Sequence, residues 1–70
     1  MKGISIAERI LQYRQQNALT QAEFAEIMCV SPQAVSKWER VVCYPDITLL
    51  PMLAQVLGVS VSDFFAEISE

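Results

Sequence analysis

TQAEFAEIMCVSPQAVSKWER, residues 20–40, is the stretch that decides the fold of this chain. Thr20 and Glu23 are spaced as a capping box, which predicts the start of a helix. Ser31 and Pro32 give a second start signal, because serine is a preferred N-cap and proline is well tolerated as the first helical residue. The few residues between the two patterns leave room only for a tight turn. The stretch therefore predicts two short helices joined by a turn.

The apolar residues of this stretch predict which sides of the two helices are buried. In the first helix, Phe24, Ile27 and Met28 are spaced by three and four residues and predict one buried face. In the second helix, Val35 and Trp38 are expected to point inward, with Trp38 as a core anchor. The outer surface of the second helix is left to small or polar residues: Pro32, Gln33, Ala34, Ser36 and Lys37. This is the pattern of a helix-turn-helix whose second helix enters the major groove of DNA.

The segment before this motif predicts one more helix. Ser5 and Glu8 form a capping box for a helix over about residues 6–16, and Asn17 is expected to end it. Its apolar positions fall on one stripe, which predicts a face that packs against the motif. The residues of that stripe are Ile6, Ile10 and Tyr13.

The segment after the motif predicts a loop and two further helices. Asp46 is expected to cap a short turn over 47–50, and Pro51 either kinks the fourth helix or restarts it. Gly58 is expected to end that helix. A capping box over 60–63 predicts the start of a fifth helix. At least one of its two aromatic residues is expected to close the core: Phe64 or Phe65.

Three segments in this order resemble the Cro/C1-type helix-turn-helix family, also known as lambda-repressor-like or XRE domains. The segments are ISIAERILQYR, LTQAEFAEIMCVSPQAVSKWER and YPDITLLPMLAQVLGVSVSDFF. The resemblance implies an all-α, compact five-helix lambda-repressor-like DNA-binding domain over residues 1–70, with the helix-turn-helix at helices 2 and 3. Two positions that often hold glycine in this family are Cys29 and Val41. A left-handed conformation at Cys29 would cost roughly 1 kcal/mol, and we expect the fold to survive it.

The family resemblance, together with side-chain chemistry, assigns roles to the outer surface of the second motif helix. Gln33 is the residue expected to read a base, because glutamine can pair bidentately with adenine. Lys37 lies one turn later and can reach guanine or a phosphate, and Ser36 can bind either a base edge or a phosphate. Pro32 and Ala34 can touch thymine methyl groups. Taken singly, each of these residues would also fit an ordinary solvated helix surface.

Other positions are expected to contact the DNA backbone or to hold the motif in place. Gln21 resembles the phosphate-binding glutamine of the family, at a helix start that favours an anion. Arg40 and Ser31 can bind the backbone, unless capping occupies the serine hydroxyl. Arg14 and Glu39 match positions that form a buried ion pair in many members. The sequence leaves open whether Arg14 also contacts a phosphate.

Net charge at first argues against a nucleic-acid partner. The chain carries a formal charge of −3, whereas phosphate contacts supply most nucleic-acid affinity. The acidity is concentrated in residues 46–70, which hold four of the eight acidic residues and no lysine or arginine. In this family that part faces away from DNA. We therefore expect weak binding by a monomer and useful affinity only from a homodimer on paired half-sites.

Several classes of function are disfavoured by composition. The chain has no histidine and only two cysteines, so we expect no metal site, no cofactor and reduced thiols. No serine or cysteine stands beside a base and no glycine-rich phosphate loop is present, so we do not expect an enzyme. We expect no signal peptide and no membrane-spanning segment. The family resemblance instead implies a transcription regulator, with genomic DNA in the cytoplasm as its partner.

The loop at 41–44 is unusually apolar and leaves two interpretations open. Val42 and Tyr44 could pack on the core of their own domain. Alternatively, they could form a dimer interface with Phe65 and Ile68, because exposed apolar patches mark association sites. The family resemblance implies a repressor that binds a palindromic operator as a homodimer through recognition helix 31–40. The alternative is a protein-interaction or antitoxin-like subunit that binds a protein partner through the apolar 41–44 loop and the acidic C-terminal half.

Overall fold

A computed structural model describes residues 5–64 of the chain and contains helices and no strands over that range. The helices are α1 (Ile6–Gln16), α2 (Gln21–Met28), α3 (Pro32–Glu39) and α4 (Leu50–Leu57). A 3-10 turn, Ile47–Leu49, leads directly into α4, and residues 62–64 are the described part of α5. The predicted all-α, five-helix fold is confirmed. None of the helices described over residues 5–64 is long and apolar enough to span a bilayer.

The helix starts follow the capping signals of the sequence. Ser5 accepts a hydrogen bond from the backbone N–H of Glu8, whose side chain accepts one from the backbone of Ser5, and Thr20 and Glu23 form the same reciprocal pair. Each pair satisfies two backbone donors that a helix N-terminus would otherwise leave without partners. The predicted capping boxes of α1 and α2 are therefore confirmed. Pro51 lies in the first turn of α4, so the chain restarts a helix there rather than kinking one.

The capping box predicted for α5 is only half formed. The carboxylate of Asp63 accepts a hydrogen bond from the backbone N–H of Ser60 at 3.3 Å. The hydroxyl of Ser60 lies 2.8 Å from the hydroxyl of Ser62 and makes its hydrogen bond there. The Asp63 N–H instead donates to the backbone oxygen of Ser60.

Three helices end in the same backbone arrangement, each with a non-glycine residue at positive φ. Ala18, Cys29 and Val41 have φ of 54°, 60° and 59°. The residue after each donates its N–H to a carbonyl five positions earlier, as when Val42 bonds to Lys37. This is the Schellman arrangement, which satisfies carbonyls at a helix end and is most easily adopted by glycine. Among the described residues, only Gly58 at the end of α4 has glycine at such a position.

The core lies where α1, α2 and α3 meet α4 and α5. Phe24 and Phe64 are fully buried, and the rings of Tyr13 and Phe24 pack edge to face with centroids 5.8 Å apart. Phe64 is thus one aromatic residue that closes the core, as predicted. The buried side chains of the described residues are Ile6, Ile10, Phe24, Ala25, Met28, Val35, Trp38, Pro45, Leu50, Leu53, Ala54 and Phe64.

The prediction that Ile27 is buried was wrong. Ile27 is 38% exposed, whereas Ala25 is buried. The buried strip of α2 runs through Phe24, Ala25 and Met28, so Ile27 falls at its edge. A small side chain at Ala25 lets α3 pack closely across α2, which the larger isoleucine would prevent.

Candidate nucleic-acid interface

α3 presents one polar face because its opposite face is anchored in the core. Val35 is fully buried and Trp38 is 5% exposed. Pro32, Gln33 and Lys37 are exposed on the other side of the helix. The backbone of α3 is thereby fixed by packing while these three side chains face solvent, which is the arrangement that a helix inserted into a DNA groove needs.

The two remaining residues of the predicted outer surface are less accessible. Ser36 is half-buried, and so is Ala34, which packs against the core cluster. The placement of Ala34 on the open surface was therefore wrong in part, because this residue adjoins Val35 on the side of α3 that meets the core. Only part of its methyl group remains accessible to a ligand.

The start of α3 is held by Ser31. Its hydroxyl oxygen accepts a hydrogen bond from the backbone N–H of Ala34 at 3.2 Å. Pro32 follows, so the helix lacks one donor that would otherwise need a partner. The hydroxyl of Ser31 is committed as an acceptor, but its own O–H can still donate to a phosphate.

A network centred on Glu39 joins three helices. Nε and Nη2 of Arg14 in α1 donate to the two carboxylate oxygens of Glu39 at 2.7 and 2.8 Å. Nη1 of Arg14 donates to the carbonyl of Leu19 at 3.1 Å. Nε2 of Gln21, at the start of α2, donates to Oε1 of Glu39 at 2.9 Å. The ion pair was expected from the family resemblance, whereas the bonds to Gln21 and Leu19 were not expected.

The ion pair is partly shielded from water, and both burial and hydrogen bonding affect the pKa values of its two side chains. The side chains of Arg14 and Glu39 are 16% and 11% exposed. Burial alone would raise the pKa of Glu39, but the hydrogen bonds from Arg14 and Gln21 and the charge of Arg14 outweigh it and hold this pKa below its usual range. The hydrogen bond to Glu39 raises the pKa of Arg14. Both groups therefore remain charged at neutral pH.

A shallow cleft of about 300 Å³ lies beside this network, between α1 and the end of α3. At its edge, Nε of Arg40 donates to the hydroxyl of Ser36 at 3.3 Å. This bond uses only Nε and leaves the two terminal nitrogens of the exposed Arg40 side chain available as donors. The cleft is lined by Ala7, Glu8, Leu11, Gln21, Ser36, Glu39 and Arg40. The structure thus brings together two of the residues expected to bind the DNA backbone, Gln21 and Arg40, with Ser36, which was expected to bind a base edge or a phosphate.

The loop after α3 exposes apolar side chains. Val42 is 60% exposed, so the interpretation that it packs on the core of its own domain was wrong, whereas Tyr44 is 44% exposed and is partly covered by its own domain. Val41 adopts the left-handed conformation that ends α3. Ile47 is 67% exposed and extends the apolar surface, although the sequence had placed it only in a short turn. Phe65 and Ile68, the other residues of the predicted interface, lie outside the described residues.

The described residues, 5–64, were also compared with the requirements of a metal site and of a disulfide bond. No group of three or more Cys, Asp or Glu side chains in that range is placed to hold a metal ion. Cys29 and Cys43 are exposed free thiols.

Comparison with known proteins places this geometry in a family. A helix-turn-helix family model matches residues 10–64. The chain is 35% identical over 66 residues to the HTH-type transcriptional regulator PuuR of Escherichia coli, and equally to PuuR of Shigella flexneri. The alignment covers 94% of this chain but only 36% of each PuuR protein, so the chain spans about a third of their length.

Two solved structures share the fold. The P22 c2 repressor in complex with a synthetic operator is similar with a TM-score of 0.73 and 30% identity, over 86% of this chain and 91% of that one. The DNA-binding domain of the same repressor in solution gives a TM-score of 0.72 and 31% identity, over 89% and 82% of the two chains. The chain therefore belongs to the Cro/C1-type helix-turn-helix family of DNA-binding transcription regulators.

Proposed function

We propose that residues 1–70 form one domain that binds double-stranded DNA sequence-specifically and represses transcription as a homodimer on a palindromic operator. The observation that carries this proposal is the exposed polar face of α3, held rigidly by Val35 and Trp38 within a helix-turn-helix. The likeness to the P22 c2 repressor, whose crystal structure contains an operator, supports it. Recognition helix 31–40 would enter the major groove.

Base recognition falls to the exposed face of α3. Gln33 lies in its first turn, where it would pair with adenine N6 and N7. Lys37, one turn later, would reach guanine or a phosphate. Pro32 and the accessible part of Ala34 would contact thymine methyl groups.

The proposed contacts to the DNA backbone come from residues at the two ends of the motif and at its turn. The free terminal nitrogens of Arg40 and the second N–H of the Gln21 amide are suitable phosphate donors. The O–H of Ser31 is a third. Ser36, which the sequence allowed to bind either a base or a phosphate, is better placed to orient Arg40, because its oxygen accepts the Nε–H of that residue.

A dimer is supported by charge. With five basic residues against eight acidic ones, a single copy has little cationic surface, and two linked copies would bind more tightly. The proposed interface is Val42 and Tyr44 with Phe65 and Ile68.

Repression by occlusion of a promoter is the mechanism we propose. The described residues contain two recognisable functional surfaces, α3 and the apolar loop, which suffice to block a DNA site. The cytoplasm, where genomic DNA lies in a bacterium, is the proposed location.

A second candidate function is favoured by the exposure of the loop after α3. Val42, Tyr44 and Ile47 offer an apolar surface that an unrelated protein could cover, as in an antitoxin-like complex. Salt dependence separates the two functions. DNA binding should weaken steeply as salt concentration rises, because counterions are released, whereas an apolar protein complex should change little.

The experiment that tests the proposed function is a selection from random double-stranded DNA. The wild type should enrich a palindromic motif, and the Gln33→Ala, Lys37→Ala double variant should enrich none. Gln55→Ala is the matched control, because it removes an exposed glutamine from α4 and should leave the motif unchanged. A folded wild-type protein that enriches no motif would refute the proposal and make a search for a protein partner the next step.

A further inference from the structure

Glu39 occupies an unusual place for an acidic residue next to a DNA-binding surface. It is the last residue of α3, and its carboxylate is 11% exposed and accepts bonds from both α1 and α2. A negative charge here would by itself repel a DNA backbone. The bidentate contact with Arg14 offsets that charge. This ion pair could form without the hydrogen bond from Gln21 to Glu39.

The bond from Gln21 to Glu39 fixes which way the glutamine amide faces. An ionised carboxylate only accepts hydrogen bonds, so it must face the amide nitrogen of Gln21 and not its oxygen. The observed contact of 2.9 Å between Nε2 and Oε1 agrees with this requirement. The amide nitrogen carries two hydrogens, of which Glu39 takes one. The other is a donor whose direction is fixed by a partly buried neighbour.

A phosphate also accepts hydrogen bonds and never donates them through its anionic oxygens. It can therefore accept a hydrogen bond from the second Nε2 hydrogen of Gln21. A freely rotating amide would lose entropy on being ordered by this bond, whereas an amide already held by Glu39 would lose less. Gln21 lines the same cleft as Arg40, so a phosphate located there would meet two donors from different helices.

We propose that Glu39 is a positioning residue that aims the amide nitrogen of Gln21 at a phosphate of bound DNA. This inference rests on the proposed function and adds to it a residue that acts without touching DNA. It predicts a result opposite to simple electrostatics. Removing the charge of Glu39 changes the net charge of the chain from −3 to −2, which alone should tighten DNA binding. Loss of positioning should weaken it.

The test measures binding of full-length variants to the DNA motif selected by the wild type. Glu39→Gln keeps the shape of the side chain and should lower affinity about threefold to tenfold, the size expected for one hydrogen bond. Gln21→Ala should lower affinity in the wild type but have at least threefold less effect in the Glu39→Gln background. Glu26→Gln, which removes an exposed acidic charge elsewhere on α2, is the control for charge alone and should not weaken binding.

Two results would overturn the inference while leaving the proposed function intact. One is tighter binding by Glu39→Gln, and the other is independent, multiplicative effects of the two substitutions. If the wild type selects no DNA motif, the proposed function and this inference fall together.

A second measurement does not depend on the stability of any variant. The side-chain amide signal of Gln21 in the free wild-type protein can be followed by NMR as pH is lowered. It should shift as Glu39 becomes protonated and the bond is lost. An amide signal that does not respond to this titration would show that Gln21 is not held by Glu39 and would overturn the inference.

Discussion

Replacing Val41 with glycine should stabilise the protein, although it removes an apolar side chain. Val41 ends α3 at φ 59°, a region in which a β-branched residue is strained. Its neighbour Val42 is the natural control. The two valines are 58% and 60% exposed, so they lose nearly the same burial on truncation, but Val42 does not have a positive φ.

The expected magnitude follows from two opposing backbone terms. A left-handed conformation costs an L-residue about 1–2 kcal/mol, and glycine at Val41 removes this cost. Glycine also gives the unfolded chain more freedom, which lowers stability by about 0.5–1 kcal/mol at either position. Val41→Gly should therefore gain up to about 1.5 kcal/mol, whereas Val42→Gly should lose about 0.5–1 kcal/mol, so the two variants should differ by about 1–2 kcal/mol.

Thermal unfolding followed by circular dichroism checks this prediction. A difference of 1 kcal/mol shifts the midpoint of a domain of this size by about 4–8 °C, so the two variants should be clearly separated. The reasoning would be refuted if Val41→Gly were as destabilised as Val42→Gly. Such a result would mean that the end of α3 is not strained in solution.

Three other predictions concern Gly58, the Glu39 ion pair and Ser36. Gly58→Ala should cost about 1 kcal/mol of stability in the same unfolding assay, because the residue has φ 75° although no heavy atom lies within 4 Å of the added Cβ; an unchanged midpoint would contradict this. The lowered pKa of Glu39 stabilises the folded state above the unfolded pKa of about 4.3, and this contribution is lost as pH falls through the lower folded pKa. The free energy of unfolding, measured with urea, should thus fall more between about pH 6 and about pH 2 in the wild type than in Glu39→Gln. Equal decreases would argue against the ion pair. Ser36→Ala should weaken binding to all DNA sequences alike by about twofold to threefold, because it releases the Arg40 guanidinium; a relaxed preference at one base pair in a selection would instead make Ser36 a base reader.

The helix starts could be predicted because their causes are local. In α1 and α2 the capping bonds join residues three positions apart, so the pattern Ser5–Glu8 or Thr20–Glu23 is visible in the sequence itself. Cys29 and Val41 were marked only as positions where the family often has glycine, and a left-handed conformation was considered for Cys29 alone. Ala18 adopts the same conformation and was missed, since alanine carries no such signal and no departure from the family marked it.

Features that depend on packing could not be predicted from local pattern. Gln21 and Glu39 are 18 residues apart, and nothing in either segment announces their hydrogen bond. Ile27 satisfied the spacing of a buried residue, but the close crossing of α2 and α3 selected Ala25 for the core. Val42 is exposed although it is apolar, so hydrophobicity alone could not predict its position.

Trp38 gives the molecule a built-in optical reporter at the place where it matters most. It is the single tryptophan of the chain, it belongs to the helix proposed to read DNA, and it is almost fully buried on the side away from Gln33 and Lys37. Its emission should shift to longer wavelength when α3 leaves the core, because the indole then meets water. Binding in the groove should leave the indole environment nearly unchanged. Fluorescence can therefore distinguish a variant that has lost its recognition helix from one that has only lost its contacts.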